Sequence, residues 1–151
     1  MSDGSGVILV VDDEPLDVDL IRRVLAGGGF QVLDADSYDS GIRVFDDARS
    51  EIDLLLVDVS LPGKNGVELA KLLVKRKPSL RLLFVSGHVG FEVVRFYGMR
   101  TTDRHFLQKP FRSEVLLARV RETLQSTEAL PWADTEQVEE GGEAAAKAGE
   151  G

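Results

Sequence analysis

Five short apolar runs alternate with segments whose apolar residues recur at helical spacing, and this alternation constrains the fold more than any other feature of the chain. The first run, VILVV, contains no polar residue, which is typical of a strand buried on both faces. The runs predict strands over 7–11, 30–33, 52–57, 80–85 and 105–108. The segments that follow them predict helices over 15–26, 38–48, 67–76, 91–98 and 113–124.

The regular alternation of strands and helices predicts an α/β fold. Parallel strands need crossover connections, and helical crossovers cover both faces of a sheet. The architecture that fits is a doubly wound, five-stranded parallel sheet of flavodoxin-like order 2-1-3-4-5, with helices on both faces. A ligand of such a sheet binds beyond the carboxyl ends of the strands, and strands 1 and 3 flank the crevice where the strand order reverses.

Local signals give expectations for individual helices. Ser37 and Ser113 are expected to be N-caps, because a serine side chain can accept a hydrogen bond from the first turn. Asn65-Gly66 is expected to be a tight turn before the third helix. The residues predicted to face the sheet are Leu16, Leu20, Ile21, Val24 and Leu25 in the first helix, Ile42, Phe45 and Ala48 in the second, and Val115, Leu116, Val120 and Leu124 in the last.

The length of 151 residues predicts one folded domain, over 7–126, between a disordered N-terminus at 1–6 and a tail at 127–151. The tail is rich in glycine, alanine and acids, which predicts disorder. It carries seven acidic residues and one basic residue, so residues 1–126 have a net charge of only −2. Neither part has the basic footprint that direct nucleic-acid binding needs. A functional acidic tail, a linker remnant and a solubilising end are the alternatives.

The composition excludes several kinds of site. The chain has no cysteine, which excludes disulfides, thiolate metal sites and cysteine nucleophiles. Its two histidines, His88 and His105, are too few for a histidine-rich metal site. No apolar run approaches the roughly 20 residues of a membrane span. The first residues do not form a secretory signal, so a cytoplasmic location without membrane contact is the expectation.

Polar residues with related chemistry follow four of the predicted strands. Asp12 and Asp13 follow strand 1, Asp58 follows strand 3, Ser86 follows strand 4, and Lys109 follows strand 5. Because the carboxyl ends of parallel strands share one edge, these side chains are expected to converge. The three carboxylates suit Mg²⁺, which prefers oxygen ligands. With one carboxylate as a nucleophile towards phosphorus, Mg²⁺, Lys109 and the Ser86 hydroxyl would each neutralise one phosphoryl oxygen.

Each of these residues also has a simpler interpretation when taken alone. Asp12 or Asp13 could cap the first helix, and Asp58 could be a turn residue before Pro62-Gly63. Ser86 before Gly87 is ordinary turn chemistry, and a lone lysine is most often a solvated surface residue. The functional interpretation therefore depends on all of them occurring together at the strand ends.

The segments VVDDEP, LLLVDVSLPGKNG, LLFVSGH and HFLQKPF together resemble the receiver domain of bacterial two-component response regulators, in order and in approximate spacing, over about residues 7–126. The resemblance implies that a histidine kinase or phosphotransfer protein phosphorylates Asp58 with Mg²⁺, in a signalling domain that catalyses only its own phosphorylation and dephosphorylation. It implies Asp12, Asp13 and the backbone carbonyl of Ser60 as further metal ligands. It also implies a cis peptide between Lys109 and Pro110 that aims the lysine inward.

The resemblance further implies a two-state switch. The Ser86 hydroxyl would move to the phosphoryl group, Phe106 would enter from outside, and the face of helix 4, strand 5 and helix 5 would change for an unknown output protein. That face also allows for a homodimer. Phe106 could instead be an ordinary apolar residue. His88 occupies a position that influences hydrolysis in the family, although a solvated loop histidine is the simpler interpretation, and His105 has no assigned role.

Three alternatives stay open at this point. The segments YGMRTTDRHF and FLQKPF are typical of receivers at the C-terminus of hybrid histidine kinases, so the chain could be such a receiver. A phosphatase of the haloacid dehalogenase type also uses an aspartate nucleophile, but it requires an acid at the position of Ser60. A receiver-like adaptor without phosphorylation is the third alternative, and the complete set of acids, hydroxyl and lysine argues against it.

Overall fold

The computed structural model describes residues 6–87, 90–99, 104–127 and 129–132. Its strands are β1 (Val7–Val11), β2 (Gln31–Ala35), β3 (Leu54–Asp58), β4 (Arg81–Ser86) and β5 (Phe106–Gln108). Its helices are α1 (Pro15–Gly27), α2 (Tyr38–Asp47), α3 (Gly66–Arg76), α4 (Gly90–Phe96) and α5 (Ser113–Gln125). The strands form one parallel sheet in the order β2-β1-β3-β4-β5, which confirms the predicted fold class and strand order.

The sheet separates two apolar cores. Side chains of β1, β3 and β4 alternate between the two faces, as the period of a strand requires. Ile8, Val10, Leu54 and Leu56 lie on one face with α1 and α5, and Leu9, Val11, Leu55 and Val57 lie on the other with α2, α3 and α4. Both faces of the central strands are therefore covered, which explains their almost uninterrupted apolar sequence.

Serine and asparagine residues begin two of the helices. Ser37 caps α2 as predicted, since its hydroxyl accepts a hydrogen bond from Ser40 N–H and the Ser40 hydroxyl accepts one from Ser37 N–H, each at 3.1 Å. Asn65 caps α3, with Oδ1 accepting from Val67 N–H and Glu68 N–H. The expected tight turn at Asn65-Gly66 is therefore wrong, because Asn65 is the cap and Gly66 is already helical.

The predicted inward faces of the first and last helices need correction. Leu16 and Leu20 of α1 are 81% and 44% exposed, whereas Ile21 and Leu25 are fully buried. Leu16 lies about 140° around the helix from Ile21, so it points away from the sheet. In α5, Val115 is exposed beside the fully buried Leu116.

The cap of α5 also differs from the prediction. Ser113 is the first helical residue, and the cap is Arg112, which makes no side-chain capping bond. In α2, Phe45 is buried as predicted, and Ile42 and Ala48 are partly buried against the same core. Across the described residues, no helix combines the length and apolar character needed to cross a membrane.

The chain after α5 differs from the sequence expectation. Disorder was predicted from residue 127 onward, but Trp132 is buried and belongs to the core on the α3 side of the sheet. Leu130 packs against the same core. Hydrophobic burial of one large aromatic residue overrides the polar composition around it. Disorder is also predicted for residues 1–5 and 133–151, and both ranges lie outside the described part of the chain.

Candidate functional site

The carboxylates of Asp12, Asp13 and Asp58 come together at the carboxyl end of the sheet. β1 and β3 are neighbours in the sheet, so the residues that follow β1 lie beside the last residue of β3. One oxygen from each of the three carboxylates lies within 4.8 Å of the others. Asp12 is fully buried, Asp58 is nearly so, and Asp13 is exposed. The sequence prediction of a shared acidic pocket is therefore matched in geometry.

Backbone amides orient two of these carboxylates. Glu14 N–H donates to Asp12 Oδ1 at 2.9 Å, and Ser60 N–H donates to Asp58 Oδ1 at 2.8 Å. In both cases the amide lies two residues after the acid, which is the geometry of an Asx turn. One oxygen of each carboxylate is thus fixed by the chain itself, and Oδ2 of each acid is directed to a shared partner.

That partner is Lys109, which follows β5. Its Nζ lies 2.9 Å from Asp12 Oδ2 and 2.8 Å from Asp58 Oδ2. The backbone N–H of Lys109 donates to the carbonyl oxygen of Ser86, which continues the pairing of β5 with β4. The peptide between Lys109 and Pro110 is cis, as the resemblance implied.

Asp17 is a member of this cluster that the sequence analysis missed. Its Oδ2 lies 2.7 Å from Lys109 Nζ, which makes it the nearest of the three carboxylates that the lysine contacts. Asp17 lies in the first turn of α1. The first turn of α1 begins at the same sheet edge as Asp12, so an acidic residue in that turn could have been predicted to lie near the site. The helical pattern alone did not determine which way Asp17 points.

The cluster changes the proton affinities of its members. Burial raises the pKa of Asp12 above its ordinary value, although the N–H of Glu14 and the ammonium of Lys109 act in the opposite direction. Burial by itself would lower the pKa of Lys109, but its hydrogen bonds to Asp17, Asp58 and Asp12 outweigh burial and raise that pKa. Lys109 therefore carries its positive charge throughout the physiological pH range.

Ser86 lies at the same edge but is not directed at the acids. Val85 pairs with Asp58 in the sheet, so Ser86 lies one residue beyond that pair. Its side chain is buried, and its hydroxyl donates to the carbonyl oxygen of Gly87 at 3.1 Å. The hydroxyl would have to turn to reach a group on Asp58.

Phe106 does not occupy the outside position that the sequence analysis expected. It is 5% exposed, and its ring stacks on Phe84 with the centroids 5.2 Å apart. Phe84 and Phe106 are paired residues of β4 and β5, so their rings lie side by side on one face of the sheet. His88 lies outside the described residues, and His105 is buried, with its carbonyl oxygen accepting from Phe84 N–H.

The donor set fits a hard divalent cation. Asp12, Asp13 and Asp58 offer only oxygen ligands, and Mg²⁺ binds through one or two carboxylates while keeping several waters. Exposed Asp13 leaves the pocket open to water on one side. The buried carboxylate of Asp12 would also gain a second positive partner besides Lys109.

A family model described as the response regulator receiver domain matches residues 8–121. The chain belongs to this receiver domain family. The match covers the sheet from Ile8 onward and the first nine of the thirteen residues of α5, and it includes every residue of the acidic pocket. Receiver domains are signalling domains of two-component systems and not classical enzymes, which argues against the phosphatase alternative.

Individual relatives agree with this assignment. The transcriptional regulatory protein CpxR of Klebsiella pneumoniae is 32% identical over 135 residues, which cover 89% of this receiver chain and 55% of that protein. The chain thus spans about half the length of the curated relatives it matches. The receiver domain of NtrX from Brucella abortus is 28% identical, with a TM-score of 0.67 and coverage of 80% of this chain and 99% of that one.

A receiver from a sensor kinase is also similar. The receiver domain from the hybrid histidine kinase CckA is 27% identical, with a TM-score of 0.64 and coverage of 80% of this chain and 100% of that one. The similar proteins therefore include receivers of both transcriptional regulators and hybrid kinases.

Proposed function

We propose that this receiver domain is a phosphoacceptor switch in which Asp58 accepts a phosphoryl group from a histidine kinase or a phosphotransfer protein. The observation that carries the proposal is the Lys109 ammonium, which bridges Asp58 and Asp12 at 2.8 and 2.9 Å. A partly buried lysine between two carboxylates supplies the charge that a phosphoryl group needs beside its acceptor.

The transfer itself is a displacement at phosphorus. A carboxylate oxygen of Asp58 forms a bond to phosphorus while the bond from phosphorus to the imidazole nitrogen of the donor breaks, and that nitrogen keeps the electron pair. Lys109 already donates to Asp58 Oδ2, so it lies within reach of an oxygen on an incoming phosphoryl group. Hydrolysis later releases inorganic phosphate and restores the carboxylate.

Mg²⁺ is the proposed cofactor. Asp12, Asp13 and Asp58 would hold it, together with the backbone carbonyl of Ser60, whose N–H already orients Asp58. When bound, the ion neutralises charge on the transferring phosphoryl group. The chain's own residues do the rest: Asp58 provides the nucleophile, Lys109 a fixed positive charge, and Ser86 a hydroxyl that can turn from Gly87 towards a phosphoryl oxygen.

The output would follow from that turn of Ser86. Because Ser86 lies four residues before the start of α4, its movement towards Asp58 would displace the start of α4 and change the face of α4, β5 and α5. Phe106 takes part as a buried residue that repacks. We propose that an output protein, or a second copy of this chain, reads that face, without direct nucleic-acid or membrane contact, in the cytoplasm.

Two contexts are compatible with this function. The chain acts either as a receiver of a response regulator or as the receiver of a hybrid histidine kinase, and the similarity to CpxR and to the CckA receiver supports each in turn. Kinase activity would belong only to a longer chain of the second kind. A receiver-like adaptor that is never phosphorylated is less well supported, because the acids and the lysine form a connected cluster.

The proposal is tested by comparing two variants that remove one negative charge each. Asp58→Asn should abolish labelling by acetyl phosphate in the presence of Mg²⁺, as measured by intact mass. Asp39→Asn, an exposed acid in the first turn of α2, is the matched control and should be labelled like the wild type. Equal labelling of Asp58→Asn and wild type would remove Asp58 as the acceptor.

A further inference from the structure

The short segment after α5 crosses from one face of the sheet to the other. α5 packs with α1, whereas Trp132 lies in the core that contains α3 and α4. Ala129 and Leu130, which lie between α5 and Trp132 in the chain, line a cavity of about 180 Å³. Arg119 and Thr123 of α5 line the same cavity. Residues 129 and 130 therefore leave a cavity beside them unfilled, and Trp132 is the residue of this segment that is buried.

Trp132 is packed next to the aromatic pair that includes Phe106. Its ring meets Phe84 edge to face, with centroids 6.3 Å apart, and Phe84 stacks on Phe106. The ammonium of Lys71 on α3 lies over the Trp132 ring at 5.8 Å and over the ring of Tyr97, the residue after α4, at 5.1 Å. Trp132 thus contacts α3 and β4, and it lies in the same apolar core as Val94 of α4.

The packed position of Trp132 occurs together with one orientation of the Ser86 hydroxyl. In the same structure the Ser86 hydroxyl is bonded to Gly87 and not directed at Asp58. If Ser86 turns and draws on the start of α4, the seat of Trp132 between α3, α4 and Phe84 changes shape. Packed cores favour discrete arrangements over continuous deformation, so a ring that fits one arrangement fits the other less well.

We propose that residues 129–132 form an autoinhibitory strap, in which Trp132 stabilises the unphosphorylated arrangement and is released when Asp58 is phosphorylated. This rests on the proposed phosphoacceptor function. The coupling is reciprocal. If a phosphoryl group on Asp58 favours the release of Trp132, then Trp132 in its packed position disfavours the phosphorylated form by the same free energy. The strap would thereby pass the state of Asp58 to the acidic residues that follow it.

The chain offers a direct readout, because Trp132 is its only tryptophan. Mg²⁺ and beryllofluoride, which mimics a phosphoryl group on aspartate, should shift the emission of the full chain to longer wavelength and increase quenching by acrylamide. Asp58→Asn should show neither change. Intact mass after acetyl phosphate is measured on the same preparation.

The two measurements separate the possible failures. A phosphorylated chain with unchanged Trp132 emission overturns the strap and leaves the phosphoacceptor function in place. A chain that is neither phosphorylated nor changed in emission overturns both.

A second test uses the reverse direction of the coupling. Trp132→Ala in the full chain should bind beryllofluoride in the presence of Mg²⁺ more tightly than wild type, by roughly fivefold or more, as measured by calorimetric titration. Trp132→Phe keeps an aromatic anchor and should stay close to wild type. Circular dichroism checks that both variants are folded. If Trp132→Ala only lowers the melting temperature and leaves the affinity for beryllofluoride unchanged, Trp132 is a structural core residue and the strap is refuted.

Discussion

Lys109 is the residue on which the geometry of the site depends. Its ammonium has three N–H bonds, and it contacts three carboxylates, those of Asp12, Asp17 and Asp58. A phosphoryl group on Asp58 would take one of these donors, and a metal ion would compete for Asp12. Asp17 is then the carboxylate left to hold the lysine in place, although it takes no part in the transfer itself.

We therefore predict that Asp17→Asn slows phosphorylation by acetyl phosphate about fivefold, which corresponds to the loss of roughly 1 kcal/mol from one hydrogen bond. The reason is that Lys109 loses its anchor outside the metal pocket. The rate is measured by intact mass against time at saturating Mg²⁺.

The control for this variant is Asp19→Asn. Asp19 also lies on α1, is more exposed than Asp17, and pairs with Arg23 on the same helix. It should be phosphorylated at the wild-type rate. Equal rates for the two variants would contradict a positioning role for Asp17.

For individual residues, the sequence predicted those positions that depend only on where the strands end. Asp12, Asp13, Asp58 and Lys109 converge because parallel strands bring their carboxyl ends to one edge. The contact of Asp17 depends on the rotation of α1 about its axis, and that rotation is set by packing. The buried position of Phe106 likewise depends on its neighbours across the sheet and not on its own segment.

Among the elements, β3 and α3 approach each other very closely behind Asp58. A Cβ atom on Gly66 would lie 2.1 Å from the carbonyl oxygen of Asp58, which is closer than non-bonded atoms approach each other in proteins. The N–H of Gly66 also donates to the carbonyl oxygen of Val59. The first turn of α3 can lie against the end of β3 only because residue 66 has no side chain.

Gly66→Ala should therefore destabilise the protein by about 1–3 kcal/mol and displace the backbone that carries Asp58. We expect lower stability in urea together with slower phosphorylation. The control is Gly27→Ala at the end of α1, where an added Cβ meets nothing within 4 Å. That change should be neutral or slightly stabilising. A fully stable and active Gly66→Ala protein would contradict the close approach.

A second contact between elements joins α2 to α3 through Asp46. Its carboxylate lies 2.7 Å from Arg76 on α3 and 3.0 Å from Arg49, just beyond the end of α2. The hydrogen bond from Arg76, supported by Arg49, lowers the pKa of Asp46 below its ordinary value of 3.8, although burial acts in the opposite direction. The folded chain thus binds this proton less tightly than the unfolded chain.

The sign of that shift predicts a pH dependence. Asp46 contributes stability above about 3.8, and the contribution disappears as the pH falls through the lower pKa of the folded state. Asp46→Asn should melt below wild type at pH 7, and the two melting curves should converge on acidification. Asp47→Asn, a neighbouring exposed acid, should show no such convergence. A constant difference at all pH values would contradict an ionic role for Asp46.

The number, order and type of the elements were predictable, because apolar period and turn residues are local signals. Strand starts shifted by one or two residues: Phe30 and Ile52 are buried but lie just before β2 and β3. Such residues contribute to the core without pairing in the sheet, and an apolar pattern does not distinguish the two roles.

For the whole molecule, the important difference from the sequence expectation is the segment that ends at Trp132. Its composition resembles that of a disordered tail, and composition carries no information about a seat formed by α3, α4 and β4. The folded domain consequently extends beyond residue 126. The region matched by the family model ends at 121, before this segment.

The central claim is that the three acids and Lys109 form a magnesium-dependent phosphoacceptor site. Intact mass spectrometry of the full chain after acetyl phosphate, with Mg²⁺ and with the ion removed by chelator, tests it most directly. We predict the mass of one added phosphoryl group per chain with Mg²⁺ and an unmodified mass without it. An unmodified mass under both conditions, or labelling that does not depend on Mg²⁺, would contradict the claim.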